Sequence, residues 1–310
     1  MDRRLIFATA LLVMCTIITG LAYVFRPQPE RRDKLIVVAS FYPLAYMVRQ
    51  IGGDMVEVRN LIQPGIEVHS WQPTAGDLVD ASDADILVAN GAGLDSWVQD
   101  DIIPVIDMEG KIFLDTTQNL TLWMNVEQSE VQEHGVYDPH TWVSPYEAWQ
   151  QADAIYKAVI EKDPAHVEYY HDNWNTFSAK LRDLDMAYRS QLQNHTSDTI
   201  FVTHDAFGYL ARRYGFEQQG IVGLSADQQP STQTIIDIVE LMKRTETYTF
   251  YLEPGYSDAY VQTIKMELQS GSEKDVEILR LYHMNGPLEG LDYLQQLERN
   301  LVNLKKGLGS

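Results

Sequence analysis

Between Val167 and Leu192 the large apolar residues recur at intervals of three and four: Val167, Tyr170, Trp174, Phe177, Leu181, Leu184, Tyr188 and Leu192. An α-helix, at about 3.6 residues per turn, gathers such positions into one stripe. The spacing predicts a single helix of about seven or eight turns. Asp163 is placed to be its N-cap and Pro164 its first residue. A helix this long does not suit the inside of one compact α/β lobe, and it reads as a strut joining two.

Strand and helix signals alternate on both sides of it. Leu35 to Ser40, Val56 to Leu61, Ile86 to Ala89 and Lys111 to Leu114 are short apolar runs consistent with buried parallel strands. Tyr42 to Ile51 has helical spacing and stops at Gly52-Gly53. After the strut, strands are expected at Ile200 to Thr203, Ile221 to Leu224, Thr249 to Leu252 and Glu277 to Leu281. Helices are expected at Ala206 to Tyr214, Pro230 to Thr245, Ser257 to Ser270 and Leu291 to Leu308. This order indicates an α/β fold: two (βα)-type lobes with mostly parallel sheets, joined by one long rigid helix. The corresponding division is a signal or anchor and stalk at 1–33, an N-terminal lobe at 34–160, the linking helix at 161–195 and a C-terminal lobe at 196–310. A chain of 310 residues is long enough for two such cores.

Residues Leu5 to Phe25 carry no charge and follow Arg3 and Arg4. A stretch of about 20 uncharged residues can span a bilayer and also reads as an export signal. Three fates stay open: retention as a membrane anchor, cleavage after a small residue such as Ala22, or cleavage before Cys15 with lipidation there. Met14 departs from the small residue that lipidation usually requires. Each fate puts the rest of the chain outside the cytoplasm. Cys15 is the single cysteine, so neither an internal disulfide nor a thiolate metal cluster can form. The formal net charge of -20 repels nucleic acid and is compatible with attracting cations.

A metal would therefore need His, Asp or Glu. Of the eight histidines, His166 and His171 lie on the long helix five residues apart and do not share a face. His195 follows the helix end, and His134 directly follows the acidic stretch Glu127 to Glu133; these four read as structural or solvated. His69, His140 and His204 stand in turns or just past strands, where ligands of open α/β sheets bind. Any one of them alone reads as an ordinary structural histidine.

The motifs taken together resemble the zinc- and manganese-binding subunits of bacterial ABC metal importers. They run from Ala39-Ser40-Phe41-Tyr42-Pro43-Leu44 and Ile51-Gly52-Gly53-Asp54 through His69 with Gln72-Pro73-Thr74. They continue through Asn90-Gly91-Ala92-Gly93-Leu94-Asp95-Ser96-Trp97, Asp138-Pro139-His140-Thr141-Trp142 and Thr203-His204-Asp205-Ala206-Phe207. They end at Pro230-Ser231 and Pro287-Leu288-Glu289-Gly290-Leu291. The resemblance implies one transition-metal ion between two lobes, held by His69, His140, His204 and the carboxylate of Glu289. His283, six residues upstream, competes for the fourth place, and His134 stands as an accessory. Three imidazoles and a carboxylate suit Zn²⁺ better than Mn²⁺, which favours oxygen. The resemblance also implies an extracytoplasmic, membrane-tethered monomer that delivers its ion to a permease with a cytoplasmic ATPase. It implies a carrier rather than an enzyme, with a surface adhesin and a zinc hydrolase as alternatives. Gln229 stands where an acidic residue is common, and no His-rich loop is present.

Overall fold

The computed structural model describes residues 34–125, 131, 135–223, 230–271 and 274–310. The apolar segment from Leu5 to Phe25 with Cys15, and His134, Leu224 and Gln229, lie outside the described residues. Among the described residues no helix is long and apolar enough to cross a membrane.

Four strands of the first half form one parallel sheet: β1 (Leu35–Ala39), β2 (Val56–Asn60), β3 (Ile86–Ala89) and β4 (Ile112–Asp115), in the order β2-β1-β3-β4. β1 and β3 are central and covered on both faces, which is why they are apolar throughout rather than alternating. Helix α1 (Tyr42–Gly52) is stopped by Gly53, whose φ of +50° belongs to the left-handed region. A side chain there would also run into the Tyr169 hydroxyl. Helix α2 (Ala75–Asp83) opens where the Asp77 carboxylate accepts the Thr74 N–H at 2.7 Å.

Helices α3 (Pro145–Lys162) and α4 (Val167–Gln191) follow, and α4 has 25 residues, a length of about 37 Å. The predicted stripe is its buried face from Tyr170 to Tyr188, while Val167 at the start is 36% exposed. Asp163 is not an N-cap of α4. Asp163 is instead the N-cap position of a 3₁₀ turn, Pro164–His166, that leads into α4, and its carboxylate engages His166 Nδ1 and the Tyr170 hydroxyl, each at 2.7 Å.

The second sheet is also parallel: β5 (Thr199–His204), β6 (Glu217–Val222), β7 (Thr249–Leu252) and β8 (Glu277–Arg280), in the order β6-β5-β7-β8. Its helices are α5 (Gly208–Tyr214), α6 (Thr232–Thr245), α7 (Ala259–Gly271) and α8 (Tyr293–Leu308). β6 begins four residues before the apolar run that announces it. Glu217, Gln218 and Gln219 lie on a sheet edge, where a polar strand costs little. Side chains alternate across β5: Ile200 and Val202 join the core shared with α4 and the first half, and Phe201 joins a second cluster beneath α6 and α7.

α4 binds both halves. Near its start Asn173 donates to the Ile51 carbonyl at 3.1 Å, and Trp174 stacks on Tyr156 with ring centroids 5.5 Å apart. Near its end the Tyr188 hydroxyl donates to the Leu297 carbonyl of α8 at 2.6 Å. Asp185 receives both Nε and Nη2 of Arg213 at 2.8 Å and the Tyr214 hydroxyl at 3.0 Å.

Phe177→Ala is expected to cost about 3–5 kcal/mol of unfolding free energy, because Phe177 is 1% exposed between the helices; urea unfolding measures this. Burial raises the Asp185 pKa, but Arg213 and Tyr214 outweigh it and hold the carboxyl below its ordinary value. Its contribution is thus present above the unfolded Asp value of about 4 and is lost as pH falls through the depressed folded value. Asp185→Asn should destabilise the chain by about 1–2 kcal/mol at neutral pH. The gap to the unaltered chain should narrow as pH falls through the depressed folded value, which unfolding curves at a series of pH values would show.

Candidate metal centre

Parallel strands deliver their C-terminal ends to one side of each sheet, and the loops there carry the candidate residues. His204 is the last residue of β5. β5 and β7 pair Val202 with Tyr251; two residues further along, that register sets His204 beside Glu253. Glu253 is 0% exposed, His204 3% and His283, in the loop after β8, 7%. Glu253 Oε1 accepts from His204 Nδ1 at 2.8 Å and from the His204 backbone N–H at 3.2 Å. Its Oε2 lies 3.0 Å from His283 Nδ1, an ion-pair approach without the alignment of a hydrogen bond. One carboxylate therefore meets two imidazoles through Nδ1 and turns the Nε2 edge of each ring away from itself.

The first half supplies the other two histidines. The Asp138 carboxylate accepts from both the backbone N–H and the Nδ1 of His140, each at 2.9 Å. Asn90 Nδ2 donates to the Pro139 carbonyl at 2.9 Å and fixes this loop to the end of β3. His69 lies in the long connection after β2, with its backbone N–H on Glu67 Oε1 at 3.1 Å. Nε2 of His69 and Nε2 of His140 are 3.2 Å apart. Two nitrogens of a tetrahedral zinc shell, each at about 2.0–2.1 Å from the ion, stand about 3.3 Å from each other.

The ring centroid of His140 is 5.1 Å from that of His69 and 5.4 Å from that of His204, which is 5.7 Å from that of His283. The structure thus brings His69, His140, His204 and His283 into one group. Among the described residues no three or more His, Cys, Asp or Glu side chains already surround a point at coordination distance. The four rings are neighbours, with successive centroids 5.1 to 5.7 Å apart.

Glu289 is placed differently. It occupies a tight turn in which Leu291 N–H donates to the Leu288 carbonyl at 2.8 Å, with Glu289 at φ +54° and Gly290 at φ +78°. Two successive left-handed residues make a hairpin turn of the type I′ kind, which aims the glutamate outward. Its side chain is 50% exposed, with Oε2 accepting from the Tyr282 hydroxyl at 2.6 Å and Oε1 3.9 Å from Arg280 Nε. His166, His171 and His195 bond to Asp163, Tyr156 and the Gly215 carbonyl, outside the group.

The electrostatics follow from the contacts. Burial pushes the Glu253 carboxyl up, but His204 and then His283 overcome this and hold it at about 2. Burial alone would lower the His204 pKa, yet the Glu253 charge outweighs it and raises the value. For His140 burial wins over Asp138, and the ring is held below the ordinary histidine value. Carboxylates behind Nδ1 fix the tautomer and leave the Nε2 lone pair for an ion. Sequence reasoning missed Glu253 in this role. Its one signal is position, immediately after a predicted strand at the same sheet end as His204.

A cavity of about 760 Å³ lies beside β6 and the Trp123–Asn125 segment. None of the four histidines lines it; Asp138, the partner of His140, does.

The chain is similar to known proteins over most of its length. Residues 37–307 match the family described as zinc-uptake complex component A periplasmic, or ZnuA. The high-affinity zinc uptake system protein ZnuA of Bacillus subtilis (strain 168) is 31% identical over 287 residues, covering 90% of this chain and 89% of that protein. The solved laminin binding protein (Lmb) of Streptococcus agalactiae, described as bifunctional with adhesin and metal transporting activity, superposes with a TM-score of 0.78 at 28% identity, over 89% of this chain and 99% of that one. The Zn(II)-bound ZnuA-like domain of Streptococcus pneumoniae AdcA gives a TM-score of 0.75 at 28% identity, over 89% of this chain and 100% of that one. Matched from Val37 to Gly307 and sharing the two parallel sheets of these structures, the chain belongs to the ZnuA family of periplasmic metal-binding proteins.

Proposed function

We propose that the chain captures Zn²⁺ outside the cytoplasmic membrane and delivers it to an ABC permease driven by a cytoplasmic ATPase. The observation that carries this reading is the group of four histidines, three of which meet a carboxylate through Nδ1. Imidazole nitrogens suit Zn²⁺, whereas Mn²⁺ favours more oxygen ligands. His69 and His140 supply one edge of the shell and His204 the third nitrogen. His283 is the fourth group in this proposal, since it shares Glu253 with His204 while Glu289 is engaged by Tyr282. Asp138 and Glu253 orient the rings and draw the cation without touching it. The chain is a carrier, so the ion leaves unchanged and no turnover is required of the centre.

The two lobes, 34–160 and 196–310, are proposed to close slightly on the ion about α4. A long packed helix resists wide bending more than a pair of loops does. The acidic chain acts as a monomer tethered through its N-terminal apolar segment, with the anchoring chemistry as left open above.

Calorimetric titration of the full chain in detergent micelles tests the reading. One Zn²⁺ should bind per chain, with Mn²⁺ much weaker. His204→Ala and His283→Ala should each weaken zinc at least about 100-fold, and Glu253→Gln about 10–100-fold, the range of a lost outer partner. Glu289→Ala should stay within about threefold of the unaltered chain, since the Glu289 side chain is half exposed. An inert His283→Ala beside a crippled Glu289→Ala would move the fourth ligand to Glu289. Failure of the unaltered chain to bind zinc would sink the carrier reading.

A further inference from the structure

Just beyond β7 the chain reads Glu253-Pro254-Gly255-Tyr256. The Tyr256 N–H donates to the Glu253 carbonyl at 3.3 Å, and Gly255 has a φ of +94°. Proline second and a left-handed glycine third define a type II turn. Nothing stands within 4 Å of where a Cβ on Gly255 would sit, so glycine is there for its conformation and not for space. The turn puts its first and last residues against the same two imidazoles. Glu253 meets them through Nδ1. The Tyr256 ring stacks on His204, with centroids 5.6 Å apart at 27°, and meets His283 edge-on at 5.5 Å and 70°.

Tyr256 also reaches the other half. Its hydroxyl donates to Glu67 Oε2 at 3.4 Å, across 189 residues of chain, while Glu67 Oε1 holds the backbone N–H of His69 at 3.1 Å. The Glu67 carboxylate lies close enough to His140 and His204 to favour the charged form of both. A phenol packed on the second-half histidines is thus bonded to the carboxylate that positions the first-half loop.

We propose that Tyr256 and Glu67 form a latch across the metal centre that sets how fast the ion leaves. The inference rests on the zinc-carrier reading. Both act as positioning residues, since the contact is between the two halves and not to the ion. At 3.4 Å the contact is at the long limit for an O–H···O bond. An ion that draws the four imidazoles together shortens it, so the bond is stronger in the loaded chain than in the free one. An interaction of that kind slows release more than it alters capture.

The test is stopped-flow transfer of zinc from the loaded full chain to excess chelator, with association rates measured alongside. Tyr256→Phe and Glu67→Ala should each speed release about tenfold, as expected for a lost hydrogen bond to a charged group. The double variant should be no faster than Glu67→Ala alone, which also frees the His69 N–H, and association should change less than about twofold. Phenylalanine keeps the ring on His204, so a role in packing alone would leave release from Tyr256→Phe unchanged and overturn the latch. Normal one-to-one zinc binding with unaltered release rates also overturns the latch while sparing the carrier reading. Absence of zinc binding by the unaltered chain removes both.

Discussion

A single buried carboxylate organises the second half of the metal centre. Glu253 has no solvent exposure and stays ionised. An unpaired charge so placed would cost several kcal/mol. His204 offsets that cost through its ring and backbone N–H, and His283 through its ring. The same contacts tie the ends of β5 and β7 to the loop after β8, so the geometry of the sheet sets the geometry of the two imidazoles. Asp138 does the corresponding work for His140 in the first half with one carboxylate and two donors from a single residue.

The halves are held in relation to each other by α4 and by bonds close to the centre. Trp142 Nε1 donates to the His283 carbonyl at 2.7 Å, and the Tyr293 hydroxyl donates to the Trp142 carbonyl. The Gly65 N–H donates to the Asn285 carbonyl at 3.3 Å. One apolar core runs without a break from β1 through α4 to α8. Wide opening would have to break the core itself.

Much of the fold was legible from periodicity. The stripe from Tyr170 to Tyr188 is the buried face of α4, and the short runs of β1, β3, β5 and β7 are central strands. Where the reading fell short, a physical reason is visible. The start of β6 is polar because it lies on a sheet edge. Asp163 stands before a 3₁₀ turn and not directly before α4, with its carboxylate on His166 and Tyr170. Helix α2 was not read, since its nine residues bury only Ala81. The places of His69, His140 and His204, in turns or at a strand end, were legible. Glu253 was not, because an acidic residue after a strand looks like any solvated loop residue.

The choice between His283 and Glu289 marks the boundary. Sequence by itself determined that a long helix joins two parallel βα systems, that thiolates are excluded, and that imidazoles are the available nitrogen donors. Those properties follow from residue type and from spacings along one element. Only the tertiary structure decided which side chain after β8 faces the other histidines. That direction depends on the left-handed turn at Glu289 and Gly290 and on a carboxylate 30 residues upstream of His283 that the folded sheet brings within 3.0 Å. No local pattern encodes a contact whose two partners belong to different strands' ends.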